Sequence, residues 1–172
     1  LNYQKPSFRN DYFVANCKDK TSIAEQNNLT TELYKVSKLQ RSQLKKQKPI
    51  LIWFTGISGS GKSTLANLLD SYLHNLGYHS CVLDGDNVRQ GLNADLGFSE
   101  QDRQENIRRI GHVSRLMVDA GLIVITAFIS PFAKDRAAAK ALFSADEFFE
   151  IHLDMPIEQA AQHDKKRALS FS

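Results

Sequence analysis

The chain has 172 residues, 42% of them apolar and 24% charged, the balance of one folded domain with at most a short appendage. Its 22 Lys and Arg against 19 Asp and Glu leave a net charge of +3, too mild to indicate nucleic acid by itself but suited to an anionic small molecule. Cys17 and Cys81 form no disulfide framework, which favours a reducing, cytoplasmic setting. The purest apolar run, Ile50–Phe54, falls far short of the roughly 20 residues a membrane helix needs, and Leu1–Asn10 has no apolar signal core, so membrane and secreted classes are excluded.

Residues 1–49 are polar and read as an arm or linker lying on the domain, with a helix expected over Thr30–Gln43 and a solvated basic run, Lys45-Lys46-Gln47-Lys48, at its end. Ile50–Thr55, β-branched and aromatic and followed by glycines, predicts a buried parallel strand. Ser63–Leu76 carries a helical stripe of Leu65, Leu68, Leu69, Tyr72, Leu73 and Leu76, stopped by Gly77. His79–Leu83 predicts a second strand. Ser99-Glu-Gln-Asp102 resembles a capping box opening a helix to Ala120, with Ile107, Ile110, Val113, Leu116 and Met117 inward. Leu122–Phe128 predicts a third strand, Ser130-Pro131 a helix start, Phe148–Leu153 a fourth strand and Pro156 the start of a last helix. This alternation predicts an α/β fold, a parallel sheet flanked by helices, with ligands at the carboxyl ends of the strands.

At the end of the first strand stands Gly56-Ile-Ser-Gly-Ser-Gly61-Lys62-Ser63, which satisfies G-x-x-x-x-G-K-[ST]. Its glycines let successive N–H groups converge on phosphate oxygens, and the following helix turns its positive end to the same anion. Lys62 can reach the outer phosphates, and the Ser63 hydroxyl can ligate a Mg²⁺ that bridges them. Gly56, Ser58, Gly59, Ser60, Gly61, Lys62, Ser63 and Thr64 are therefore the expected ATP-binding set. No Asn-Lys-x-Asp occurs to read guanine. Val82-Leu-Asp84-Gly-Asp86-Asn-Val-Arg89 puts two carboxylates and an arginine on one strand-to-helix loop, adjacent to the phosphate loop if the two strands are neighbours. A small-molecule kinase needs that set: an acid for the hydroxyl proton and a cation for an anionic acceptor.

Downstream, Arg108 and Arg109 have two equal readings, an acceptor contact or a solvated pair with Glu105. Arg103 lies in a helical first turn, where a cation opposes the helix dipole and hints at an anionic partner. Phe98 either stacks on a base or packs onto the helix as a staple.

Three segments carry a resemblance: Leu83-Asp-Gly-Asp-Asn-Val-Arg89; Leu96-Gly-Phe-Ser99 with Asp102-Arg103 and Glu105-Asn-Ile-Arg-Arg109; and Thr126-Ala-Phe-Ile-Ser-Pro-Phe132. From about Asn28 to Asp164 the chain resembles the adenylylsulfate kinase family. The resemblance implies a three-layer P-loop NTPase-type fold and ATP-dependent phosphorylation of the 3′-hydroxyl of adenosine 5′-phosphosulfate, giving PAPS in sulfate assimilation. It implies Asp86 and Lys62 as catalytic residues, with Asp86 orienting or deprotonating the hydroxyl. Arg89 and Arg103 would bind the phosphosulfate with Asn106 nearby, Phe98 would stack on the acceptor adenine, and Ile129 and Ser130 would close that pocket. Asp84 would support the loop and the water shell of Mg²⁺. A homodimer, associated or fused with ATP sulfurylase, is the expected assembly.

The domain is expected over 28–172, after an arm or linker of residues 1–27. The family pattern departs near the end of the chain: His163 stands where an arginine is usual, and Lys165-Lys166 followed by Arg167–Ser172 resembles lid sequence with pieces removed, so lid and C-terminal elements read as incomplete. The alternative is a catalytically silent nucleotide-binding or regulatory partner of a sulfurylase.

Overall fold

The computed structural model describes residues 34–169, with side chains as far as His163. Residues 1–27, Cys17 and the first residues of the Thr30–Gln43 helix lie outside that range. The described chain begins with helix α1 (Lys38–Lys45), later than expected because Ser37 closes a full capping box with Gln40. Strand β1 (Leu51–Thr55) leads through the glycine turn into α2 (Lys62–Asn75), then β2 (Ser80–Asp84), the short α3 (Gly85–Arg89) and the long α4 (Glu100–Asp119). Strand β3 (Ile123–Ala127), α5 (Ala133–Lys140), β4 (Phe148–His152) and α6 (Ile157–Leu169) complete it. The sequence-predicted strands and their order are all present.

The four strands are parallel in the order β2-β3-β1-β4. The condition of neighbouring strands is not met. β2 does not neighbour β1; β3 lies between them, because each β-to-β connection is a crossover that can skip a position. The two loops still meet because α2 leaves β1 and packs over β3 and β2, which brings its first turn above the carboxyl end of β2.

Side chains alternate across the strands, so β1 feeds both faces. Leu51 and Trp53 join Val124, Phe148, Phe128, Ile107, Ile110 and Val118 under α4 and α5. Phe54 and Ile52 join Ala66, Ile125, Leu69 and Leu73 under α2. Trp53 stacks on Phe148 at 5.8 Å and tilts against Phe128 at 6.2 Å.

The apolar stripe of α2 is wider than the face that is covered: Leu69 and Leu73 pack inward, whereas Leu65, Leu68, Tyr72 and Leu76 are exposed. Leu116 of α4 is likewise exposed, and its inward positions include Asn106, Gly111 and Ser114, small or polar groups that an apolar pattern misses. Pro131 does not open α5. Phe132 is its N-cap, and the three residues from Ile129 to Pro131 are used along the rim of the sheet.

The basic run before β1 is not uniformly solvated. Lys46 and Lys48 are exposed, but Gln47 is buried and its amide donates to the carbonyls of His79 (2.9 Å) and Gly121 (2.8 Å) while accepting from His79 N–H (2.8 Å). Lys38, in α1, pairs with Glu147, and Lys48 with Asp146 at 2.7 Å. The segment is thus tied to the domain by specific bonds. Among the described residues no helix is long and apolar enough to cross a membrane.

Candidate active site

At the carboxyl ends of the strands lies a cleft of about 610 Å³. Its donor wall is the glycine turn. Gly59 adopts φ +75°, and a Cβ there would meet the Ala160 carbonyl oxygen at 2.3 Å, so only glycine lets α6 seat directly on the loop. A Cβ on Gly56 would likewise meet the Leu153 carbonyl oxygen, at 2.6 Å. Ser58, Gly59, Gly61, Lys62, Ser63 and Thr64 line the cleft, whereas Gly56 and Ser60 sit behind the turn and shape it. Lys62 is only 8% exposed, and its ammonium donates to the Ile57 carbonyl at 2.6 Å and the Ser60 hydroxyl at 3.3 Å, which hold it at the loop.

Asp84 joins the two walls. Its Oδ2 accepts from the Ser63 hydroxyl at 2.6 Å, and its Oδ1 accepts from the Asp86 N–H at 3.0 Å, capping α3. Because Ser63 donates its proton to Asp84, the lone pairs of its oxygen remain available. Among the described residues there is no cluster of three His, Cys, Asp or Glu side chains fit to cage a metal. A hard cation here would be held by few protein oxygens and mostly by phosphate, the usual arrangement for Mg²⁺.

The acceptor wall comes from the end of β2, α3, the start of α4 and the 127–131 segment. Asp86 opens onto the same cleft as Lys62, as do Arg89, Phe98, Arg103, Asn106, Ile129 and Ser130. Phe98 is 71% exposed, with the Arg89 guanidinium 4.6 Å from its ring centroid, so it stands open in the cleft rather than stapled onto α4. Arg89 is aimed by the carbonyls of Leu96 (3.1 Å) and Gly97 (2.8 Å), and Arg103 by the carbonyl of Phe98 (3.0 Å).

Ser130 lines the cleft, and its hydroxyl is engaged by Thr55 and Trp53. Its φ is +33°, its hydroxyl donates to Thr55 Oγ1 at 2.8 Å and accepts from Trp53 Nε1 at 3.2 Å, and Arg136 donates to its carbonyl at 2.9 Å. Arg108 and Arg109 lie outside the lining and pair with Glu105. Hydrogen bonds from Arg108 and then Arg109 hold the Glu105 carboxyl at a pKa of about 2. Arg109 also grips Asp95 with two bonds of 2.6 and 2.8 Å.

Sequence reasoning assigned Asp84 only a supporting role and did not place Phe128, Pro131 or His163 in the cleft. The double hydrogen bond of Asp84 follows from α2 crossing β3, which no local pattern records. The Nδ1 of His163 lies 3.3 Å from the Gly59 carbonyl oxygen, a contact set by the docking of α6.

The family model described as adenylylsulphate kinase matches residues 48–170. The chain belongs to the adenylylsulphate kinase family. An adenylyl-sulfate kinase of Marinobacter nauticus is 57% identical over 139 residues, covering 81% of this chain and 70% of that protein. The bifunctional enzyme NodQ of a Rhizobium species is 57% identical over 131 residues, which are 76% of this chain but only 21% of the relative. Among solved structures, the Mycobacterium tuberculosis APS kinase CysC in complex with AMPPNP and APS aligns with a TM-score of 0.66 at 45% identity, covering 73% of each chain. The adenylylsulphate kinase fold thus accounts for both the parallel sheet and the position of the cleft at its carboxyl edge.

Proposed function

We propose that this adenylylsulphate kinase family member transfers the terminal phosphoryl group of ATP to the 3′-hydroxyl of adenosine 5′-phosphosulfate, giving PAPS and ADP in sulfate assimilation. The observation that carries the reading is the shared cleft: the phosphate loop with Lys62 forms one wall, Asp86 with Arg89 and Arg103 the other, and Asp84 binds both.

The loop N–H groups and Lys62 hold the triphosphate and stabilise charge on the transferring group. Asp86 accepts the proton of the 3′-hydroxyl, whose oxygen forms the new bond to phosphorus as the bond to the ADP oxygen breaks. Arg89 and Arg103 bind the phosphosulfate, Asn106 contributes an amide beside them, and Phe98 offers an open ring face to the acceptor adenine. Ile129 and Ser130 close the far side. A Mg²⁺ ion fits the oxygen donors present: Ser63 would hold it and Asp84 would orient that hydroxyl. When bound, it supplies charge neutralisation between the outer phosphates. The remaining chemistry is positioning.

The same proposal includes an arm of residues 1–27 ahead of a kinase domain over 28–172, and a cytoplasmic setting, where ATP is supplied. It also includes assembly as a homodimer or with ATP sulfurylase; the bifunctional relative, of which the match to this chain is only 21%, supports a joined partner. Incubation of the purified chain with Mg-ATP and adenylylsulfate should yield PAPS and ADP in equal amounts. Absence of PAPS from a folded protein that binds both nucleotides would refute the activity.

A further inference from the structure

Asn93 is fully buried, outside the lining of the cleft, in the turn that follows α3. Its backbone N–H donates to the Val88 carbonyl at 2.9 Å. Its side-chain Nδ2 donates to Oδ1 of Asn106 at 2.8 Å, and Asn106, itself buried, lines the acceptor wall. The flanks of the turn are clamped as well: Arg109 holds Asp95 and the Leu92 carbonyl, and Arg89 holds the carbonyls of Leu96 and Gly97. Asn93 has little freedom to move with respect to Asn106.

A primary amide is planar, with an acceptor at one end and two donors at the other. Fixing Asn106 Oδ1 toward Asn93 turns its NH₂ group the opposite way. Burial also selects the direction of the bond. As it stands, the unpaired atom is the Asn93 carbonyl oxygen. Reversing both amides would leave the Asn93 N–H groups unpaired instead, and buried donors are left without partners less often than buried carbonyl oxygens.

We infer that Asn93 is a positioning residue for the acceptor site: it sets the polarity of the Asn106 amide so that Asn106 joins Arg89 and Arg103 as a third donor toward an anionic oxygen of the acceptor's phosphosulfate. The inference rests on the function proposed above. An Asn106 amide turned the other way would set a carbonyl oxygen against that anion. Asn93 therefore acts on acceptor affinity through Asn106 and leaves the triphosphate side alone.

The test is a double-mutant cycle with KM for adenylylsulfate and for ATP measured separately. Asn93→Leu preserves approximate volume and removes the donor; Asn93→Ala serves the same purpose if leucine does not fold. Either should raise KM for adenylylsulfate by about tenfold, the scale of one hydrogen bond to a charged group, with KM for ATP changing by less than about twofold. In an Asn106→Ala background the same substitution should shift KM for adenylylsulfate by less than about twofold, because the amide it orients is gone. An equal rise in both backgrounds, or a folded variant with unaltered KM, would overturn the inference. If the unsubstituted chain makes no PAPS, the functional reading fails instead. Equilibrium binding of adenylylsulfate to the same four proteins then decides the role of Asn93 by the same comparison.

Discussion

Asp84→Asn is the substitution that most directly questions how the two walls cooperate. The carboxylate accepts at both oxygens, from Ser63 Oγ at 2.6 Å and from Asp86 N–H at 3.0 Å. A backbone N–H can only donate, so the amide oxygen of an asparagine must stay on Asp86 and its NH₂ must face Ser63. The serine hydroxyl then accepts where it formerly donated, and its own proton turns toward the place a cation would occupy. Asn and Asp are nearly equal as N-caps, so α3 keeps its cap. The Ser63 bond changes from charge-assisted to neutral, a loss of about 1 kcal/mol in a buried site. That loss lowers Tm by roughly 2–4 °C for a domain of this size. The functional effect is larger, because reorienting a ligand from behind weakens metal binding or activity by about 10–100-fold. Steady-state assays over a Mg²⁺ titration should show half-saturation rising by that factor, with KM for adenylylsulfate changing less than about threefold. If the melt falls as expected but the Mg²⁺ dependence does not move, Asp84 only stabilises the fold and the coupling argument is wrong.

Three further outcomes are expected. Gly59→Ala forces a non-glycine residue into a left-handed conformation, at about 1–2 kcal/mol, and drives a Cβ against the Ala160 carbonyl. Together with overpacking of about 1–3 kcal/mol, this should lower Tm in a Trp53 fluorescence melt by roughly 10 °C; an unchanged melt would mean α6 does not seat on the loop. Asp86→Asn should reduce kcat by about 100-fold or more while adenylylsulfate affinity stays within about threefold, and near-normal turnover would remove Asp86 from the role of base. Carboxyl NMR should find the Glu105 midpoint at about 2, below its ordinary 4.5. Since the folded value is the lower one, whatever the pair contributes is present above about pH 4.5 and lost as pH falls toward 2. Arg108→Gln should raise the midpoint, and a midpoint near 4.5 in the unsubstituted protein would show that the pair does not persist in solution.

The sequence by itself determined the strands, their order along the chain and the phosphate loop. Strand β1, the glycine turn and the start of α2 are written in consecutive residues, because phosphate-binding geometry is a local property of φ angles and successive N–H groups. The residues of the acceptor wall were legible as a set, since their spacing in the chain resembles that of a family. What only the tertiary structure decided is which distant groups meet. The order β2-β3-β1-β4 and the passage of α2 over β3 bring Ser63 to Asp84, although the strands that bear them are not neighbours. The α2 stripe showed which residues are apolar but not which of them a neighbour would cover, so Leu68 and Tyr72 are exposed. Gln47 and Asn93 looked like ordinary polar residues. Each is buried because its amide satisfies, or orients, a polar group 13 or more positions away. A period in sequence records one element's own faces; a hydrogen bond between elements depends on how the whole sheet is threaded.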